Sequence, residues 1–341
     1  MKKIKALCVG ASIGLGILFL PNLNFTNIEK PTATIEVKAA TTYSVTNGDA
    51  LQKAAKSAKK GDVIIVKGSI KSKEIALASG VTLRGDKGKI DFSLSSKGKP
   101  GIKISGTGVT VQDLQIYNAK DNGILITGNG NTLRNLNVHD CNDSGVQLSN
   151  GASNNYIKSV HSHHNADKSN GGENADGFAI KLHSGVGNVL EDCIADNNSD
   201  DGFDCYAAHG AITFKRCQAN YNGNCYGIKG DGNGFKLGGV DNKTSGVKPH
   251  LDPLNHVLTN CSAKGNTGSG FDRNNQNGVV TMTNCTGDSN KKYNYNWPAK
   301  GKPSALGYEV TFGRAKIVNS TSINGKNNIS GADLIGKCNG F

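Results

Sequence analysis

Cys193-Ile194-Ala195-Asp196-Asn197-Asn198-Ser199-Asp200-Asp201-Gly202-Phe203-Asp204-Cys205 holds, within thirteen residues, a pattern that the chain repeats along its length. A small or apolar residue opens it, an asparagine follows five positions on, and a Gly-Phe pair begins a short alternation. The opening residue recurs as Leu114, Leu136, Val160, Cys193, Cys217, Cys261 and Cys285. The asparagine recurs as Asn165, Asn198, Asn222, Asn266 and Asn290. The glycine frame recurs at Gly123, Gly145, Gly177, Gly202, Gly234 and Gly270, followed by Ile124, Val146, Phe178, Phe203, Phe235 and Phe271. Several copies lie 22 to 24 residues apart, and the wider gaps hold inserted loops. A fixed period of this size marks a solenoid.

Positions one and three after each glycine are largely apolar, as in Phe178 with Ile180 and Phe235 with Leu237. That alternation describes a strand with one buried face. Such coils bury their apolar faces only by stacking, so the fold expected is all-β, a right-handed parallel β-helix. The asparagine column should line a turn, because asparagine tolerates left-handed backbone and bonds locally. Ala50, Leu51, Ala54, Ala55 and Ala58 form an amphipathic stripe within Gly48 to Lys59, ahead of a strand at Asp62 to Val66. A helix there would cap the open end of the solenoid. Beyond about Lys291 the pattern becomes irregular. No linker divides residues 40–341, which read as one domain.

Residues 1–39 read as a secretory signal. Lys2, Lys3 and Lys5 precede a short apolar run from Ala6 to Leu20, and Val37-Lys38-Ala39 offers small residues for cleavage. The run is short for a membrane span, which needs about 20 apolar residues. A secreted chain, free of the membrane and acting as a monomer, is expected. Without this segment the chain has 34 basic and 25 acidic side chains, so an anionic partner is favoured. No nucleic-acid module appears and aromatics are sparse, which leaves an acidic polysaccharide ahead of nucleic acid. Eight cysteines remain, with no C-x₂-C pair to suggest zinc. Cys193, Cys217, Cys261 and Cys285 share one repeat position and are expected to stack as small hydrophobes. Cys205 and Cys225 form the candidate disulfide.

The repeat register brings chemistry together. The residue between the two buried positions points outward, giving the column Leu125, Gln147, Ala179, Asp204, Lys236 and Asp272. Asp204 and Lys236 should therefore be neighbours on consecutive coils, about 4.8 Å apart. The position before the glycine puts Asp176 beneath Asp201, with Asp200 in the turn. Asp176, Asp200, Asp201 and Asp204 thus converge, and close carboxylates repel unless a cation joins them. Several hard oxygen ligands suit Ca²⁺. The bland alternative is a solvated acidic turn or a purely structural calcium. A divalent cation would lower the pKa of Lys236 and make it a base for a proton α to a carboxylate, as at C5 of a uronic acid. Without metal, a Lys236–Asp204 ion pair would be inert. Lys181 and Lys264 are candidates for holding a uronate carboxylate. Arg273 falls in the inward column, and either an outward turn toward substrate or an ion pair would explain it. His163-His164 offers a conceivable transition-metal site, against solvated loop histidines.

Glu173-Asn174-Ala175-Asp176-Gly177-Phe178-Ala179, Asn198 to Asp204, and Gly232-Asn233-Gly234-Phe235-Lys236-Leu237-Gly238-Gly239 together resemble the pectate lyases of polysaccharide lyase family 9. The similarity covers most of residues 41–290, and Leu51 to Val66 resembles the cap of such proteins. The resemblance implies calcium on Asp176, Asp200, Asp201 and Asp204, Lys236 as general base, and polygalacturonate or pectin as substrate. Phe203 departs from the family, where the aromatic is often Trp.

Three other functions compete. A polygalacturonase needs an acid and a base carboxylate about 6.5–9.5 Å apart, and would leave Lys236 without a role. A non-catalytic, calcium-stabilised polysaccharide-binding β-helix needs no lysine beside the acids. A lyase or epimerase on another uronan shares the proton abstraction.

Overall fold

In the computed structural model, which describes residues 39–341, strands stack in parallel coil upon coil. The expected signal segment, apart from its last residue Ala39, lies outside the described residues. Residues Ala40–Phe341 form one compact unit. Two long parallel sheets carry the solenoid, one of 17 strands and one of ten. The ten-stranded sheet is built from the glycine frame. Its successive strands include Val146–Leu148, Phe178–Ile180, Phe203–Asp204, Phe235–Lys236, Phe271–Asp272 and Tyr295–Asn296.

Register in this sheet follows the glycines. Phe178 pairs with Phe203, Phe203 with Phe235 and Phe235 with Phe271. The rings stack inward with centroids 5.0, 4.6 and 5.1 Å apart, and Tyr295 continues the column at 4.9 Å from Phe271. The glycine itself is required by the coil spacing. A Cβ at Gly202 would stand 2.6 Å from the carbonyl oxygen of Gly234 and 2.9 Å from the Asn222 amide. Phe203 fills its place in the column fully buried, so an indole is not needed there.

The asparagines form a buried ladder. Asn165 Nδ2 donates to Asn198 Oδ1 at 2.8 Å, Asn198 to Asn222 at 2.9 Å, Asn222 to Asn266 at 3.0 Å, and Asn266 to Asn290 at 2.8 Å. Each side-chain oxygen also accepts the backbone N–H of the preceding asparagine. The left-handed residue is the one before the ladder position: His164, Asn197, Tyr221, Gly265 and Ser289 all have φ between 53° and 63°. Asparagine therefore serves this turn by its amide, while its neighbour makes the bend. A second buried ladder, Asn131–Asn155–Asn188, lines another corner.

Gly48–Ser57 is helical and buries Leu51, Ala54 and Ala55 at the end of the core. Asn47 caps it by accepting from Ala50 N–H, as polar N-caps do. The region after Lys291 is more regular than its sequence suggests. Tyr295–Asn296, Ala315–Val318, Thr321–Ile323 and Ala332–Ile335 extend the two sheets in register. Tyr295 replaces the Phe of earlier coils, and the inserted antiparallel pair at Lys300–Gly301 and Val310–Thr311 stretches the period.

All eight described cysteines are free, so Cys205 and Cys225 make no bridge. Cys205 lies buried beneath the strand end, whereas Cys225 sits in a loop closed by the Cys225–Ile228 bridge. Cys193, Cys217, Cys261 and Cys285 are buried at the shared position, and their thiols point at backbone carbonyls.

Candidate active site

Asp176 precedes the strand Phe178–Ile180, and Asp201 occupies the same place one coil on. Their coupling is direct: the Asp201 N–H donates to Asp176 Oδ1 at 3.2 Å. Asp204 and Lys236 are register partners on the next two coils. Carboxylate oxygens of Asp176, Asp201 and Asp204 lie within 4.8 Å of one another, and all three side chains are buried.

Asp200 is also buried but faces a neighbouring acidic group with Glu173 and Asp231. Its Oδ2 accepts from Asn174 N–H and its Oδ1 from Asp231 N–H, both at 2.8 Å. It thereby fastens the loops on each side of the site.

Two lysines enter the cluster. Lys181 Nζ is 2.7 Å from Asp176 Oδ2 and 3.1 Å from Asp204 Oδ2, and only 5% of the residue is exposed. Its ammonium lies against the two buried carboxylates instead of extending into solvent. Lys236 Nζ stands 3.0 Å from Asp201 Oδ2 and 3.0 Å from Asp231 Oδ2. The expected direct partner, Asp204, is its strand neighbour, yet the ammonium reaches Asp201 instead. Asp201 Oδ2 accepts no well-aligned hydrogen bond despite its burial. Such an atom needs a cation or a donor to offset its lost hydration.

Electrostatics follow from this crowding. Burial disfavours the Lys236 ammonium, but Asp201, Asp204, Asp200 and Asp231 outweigh it and hold its pKa far above the ordinary lysine value. Lys181 is raised in the same way, burial opposing and Asp176 and Asp204 prevailing. Burial pushes Asp201 up to about 8, against the pull of Lys236, with Asp200 and Asp204 adding to the rise. Burial likewise pushes Asp200 up to about 6. Asp204 goes the other way, because Lys236 and Lys181 overcome its burial. Fully ionised, the four buried carboxylates would exceed the two ammonium groups by two negative charges, and the raised Asp201 and Asp176 reflect that excess. The donor set is all oxygen, compact and short of positive charge, and it fits a Ca²⁺ ion held by Asp176, Asp201 and Asp204 with Asp200 beside them.

The cluster opens into a cavity of about 320 Å³ lined by Lys181, Asp200, Asp204, Tyr206, Lys236 and Lys243, among others. Tyr206, Asp231 and Lys243 were not singled out by the repeat register, since all three lie off the strands. Asp231 carries a local signal, the glycine-flanked turn Gly230-Asp231-Gly232 five residues before Lys236.

The remaining candidates lie elsewhere. Lys264 is on Ser262–Lys264 of the other sheet, exposed and paired with Asp288 at 3.1 Å. Arg273 turns inward and is fully buried. It donates to the carbonyls of Gln276, Gly313 and Gly331 and lies 5.0 Å from the ring centroids of Trp297 and Phe312. It ties the core to later loops, and among the described residues no carboxylate forms an ion pair with it. His163 and His164 contact each other through Nδ1 at 2.7 Å, and His163 joins a stacked column with His139 and Tyr117. Burial pushes His163 down to about 4.

Comparison with known proteins supports the fold described above. The family described as Pel9A-like, right handed beta helix region, matches residues 32–305. "Pectate lyase L" of Paenibacillus polymyxa (strain SC2) is 40% identical over 152 residues, covering 42% of this chain and 31% of that protein. "Pectate lyase L" of Dickeya chrysanthemi is 35% identical over 188 residues, covering 54% of this chain and 40% of that protein. The matched stretches thus span less than half the length of these relatives. Among solved structures, that of pectate lyase Pel9A superposes with a TM-score of 0.71 at 24% identity, covering 86% of this chain and 79% of that one. This chain belongs to the Pel9A-like right-handed β-helix family.

Proposed function

We propose that the chain is a secreted, Ca²⁺-dependent pectate lyase that cleaves polygalacturonate by β-elimination. Asp176, Asp200, Asp201 and Asp204 hold the cation and Lys236 is the general base. The observation that carries this reading is the placement of Lys236 Nζ at the open rim of the buried acid cluster, 3.0 Å from Asp201 Oδ2. The relatives named pectate lyase L and the basic balance of the chain support an acidic pectic substrate.

A Ca²⁺ ion held by Asp176, Asp200, Asp201 and Asp204 would neutralise charge at the uronate carboxylate and so acidify the proton on C5. Lys236 takes that proton at Nζ, the C5–H electron pair forms the C4=C5 double bond as the C4–O bond breaks, and the departing oxygen takes a proton from water. While their charge is uncompensated, the aspartates keep Lys236 an ammonium; once compensated, they release it as an amine. Asp231, half exposed and 3.0 Å from Nζ, gives the abstracted proton a route to water. Lys181 holds Asp176 and Asp204 in place from behind. Lys243 and Tyr206 line the cavity wall where neighbouring sugar units would lie.

Polygalacturonate incubated with the protein in Ca²⁺ should yield product absorbing in the ultraviolet, and EGTA should stop it. New reducing ends without that absorbance would refute elimination in favour of hydrolysis.

A further inference from the structure

Beside the acid cluster, a second group of side chains converges, and the proposed reaction uses none of them. His183 and His209 lie in the turns after Phe178–Ile180 and Phe203–Asp204, and Asp241, His250 and Asp252 lie in the long loop after Phe235–Lys236. The loop is closed at its neck by reciprocal backbone bonds between Asp241 and His250, at 2.9 and 3.1 Å.

Three imidazole Nε2 atoms face two carboxylates. His209 Nε2 is 2.9 Å from Asp241 Oδ2 and 3.7 Å from Asp252 Oδ2. His250 Nε2 is 3.9 Å from Asp241 Oδ2 and 3.7 Å from Asp252 Oδ2. His183 Nε2 approaches the other Asp241 oxygen, Oδ1, at 3.4 Å. Zinc bonds of about 2.0–2.1 Å in a tetrahedron put neighbouring ligand atoms about 3.4 Å apart. The four spacings around His209, His250, Asp241 and Asp252 straddle that value.

Hydrogen bonds join His209 to Asp241 and His183 to the Thr244 hydroxyl, but they leave out His250 Nε2 and Asp252 Oδ2. His250 Nε2 is beyond hydrogen-bond reach of both carboxylates, and Asp252 Oδ2 is shielded from solvent with no hydrogen-bond partner. With the ring proton on Nδ1, His250 Nε2 and Asp252 Oδ2 are two lone-pair atoms 3.7 Å apart, spaced as two ligands of one ion. His250 Nδ1 points at the Lys248 carbonyl at 3.1 Å, the outer contact that fixes a metal-binding imidazole with Nε2 free. Asp241, only 1% exposed, is held by the Lys243 and Thr244 N–H groups and by the Thr244 hydroxyl. Imidazole and carboxylate together favour Zn²⁺ over Ca²⁺, which takes oxygen alone.

We propose that His209, His250, Asp241 and Asp252 form a Zn²⁺ site, with His183 on the far oxygen of Asp241, that pins the 237–256 loop to the solenoid. Lys243 and Asn242 ride on this loop. Asn242 accepts from the Tyr206 hydroxyl at 2.9 Å, and Lys243 lines the acid-cluster cavity, so the ion would hold one wall of that cavity.

The test gives metal-stripped protein Zn²⁺ alone and measures uptake by elemental analysis after gel filtration, with Co²⁺ as a spectroscopic substitute. One equivalent of Zn²⁺, and visible Co²⁺ bands of a tetrahedral complex, are expected. H209A/H250A should lose both the equivalent and the bands, and D252N should weaken uptake. Circular dichroism and Ca²⁺ titration establish that these variants remain folded. The pair H163A/H164A should keep the ion. Absence of Zn²⁺ uptake by the unaltered chain, full uptake by folded H209A/H250A, or loss of uptake in H163A/H164A would each overturn the proposal.

Discussion

Lys236 reaches back one coil to place its Nζ 3.0 Å from Oδ2 of Asp201, a carboxylate with no exposed surface. The two residues are 35 apart in sequence but adjacent in the solenoid, because Phe203 and Phe235 are register partners. In the proposed reaction one buried acid would therefore serve both the cation seat and the base. The pKa of Lys236 depends on how much of the negative charge around Asp201 is compensated.

Lys181 is the second cation of the cluster, and its loss should be felt as stability. Lys181→Met leaves Asp176 and Asp204 buried without their ammonium, a break that costs about 3–5 kcal/mol in comparable buried pairs. Urea unfolding in EGTA should show a loss of that size, with Ca²⁺ restoring more stability to the variant than to the parent. Equal stability of the two proteins in EGTA would mean that Lys181 is not the counter-ion.

The asparagine ladder should behave as one unit. Asn222→Ala removes the acceptor of the Asn198 backbone N–H and amide, and the donor to Ala195 and Asn266. Unmatched buried groups cost about 1–3 kcal/mol each. A destabilisation of about 3 kcal/mol or more is expected in urea melts. Asn222→Ser should recover little of it, since a hydroxyl is too short to span the coils.

His256 gives the fold a pH dependence away from the acid cluster. Burial pushes it down to about 4, and its Nδ1 accepts the Ile212 N–H at 3.0 Å, which fixes a neutral ring. The unfolded chain binds the proton near pH 6.5 and the native state does not, so stability falls as pH drops from about 6.5 to 4. The loss across that window is on the order of 3 kcal/mol. Asp176, Asp200 and Asp201, all raised, act in the opposite sense. The difference between the parent and His256→Gln in urea melts at pH 7.5 and pH 4.5 therefore isolates the histidine. An identical pH response in the two proteins would refute the assignment.

Much of the fold was legible because a solenoid writes its register into the sequence. The Gly202-Phe203 pair recurs at Gly177-Phe178, Gly234-Phe235 and Gly270-Phe271 for steric reasons that act coil by coil, so counting from it placed Asp176 under Asp201 and Asp204 beside Lys236. What lay outside the period was harder to read. Asp231, Tyr206 and Lys243 reach the site from loops whose paths no repeat specifies. Lys181 looked like a surface residue because strand alternation does not show its ammonium folding back onto Asp176 and Asp204. Arg273 broke the apolar column as the sequence indicated, but its partners are carbonyls and rings from Gly313, Gly331, Trp297 and Phe312, more than twenty residues away. The histidine-aspartate group went unseen for the same reason, its members being scattered from His183 to Asp252.

The central claim is that Lys236 is the base and does not itself bind the cation. The most direct measurement is turnover of polygalacturonate by Lys236→Ala at saturating Ca²⁺, paired with a Ca²⁺ binding isotherm on the same preparation. General-base removal should lower kcat by about 100- to 10,000-fold, while Ca²⁺ affinity is retained or strengthened by the lost ammonium. Near-normal turnover with intact Ca²⁺ binding would contradict the account.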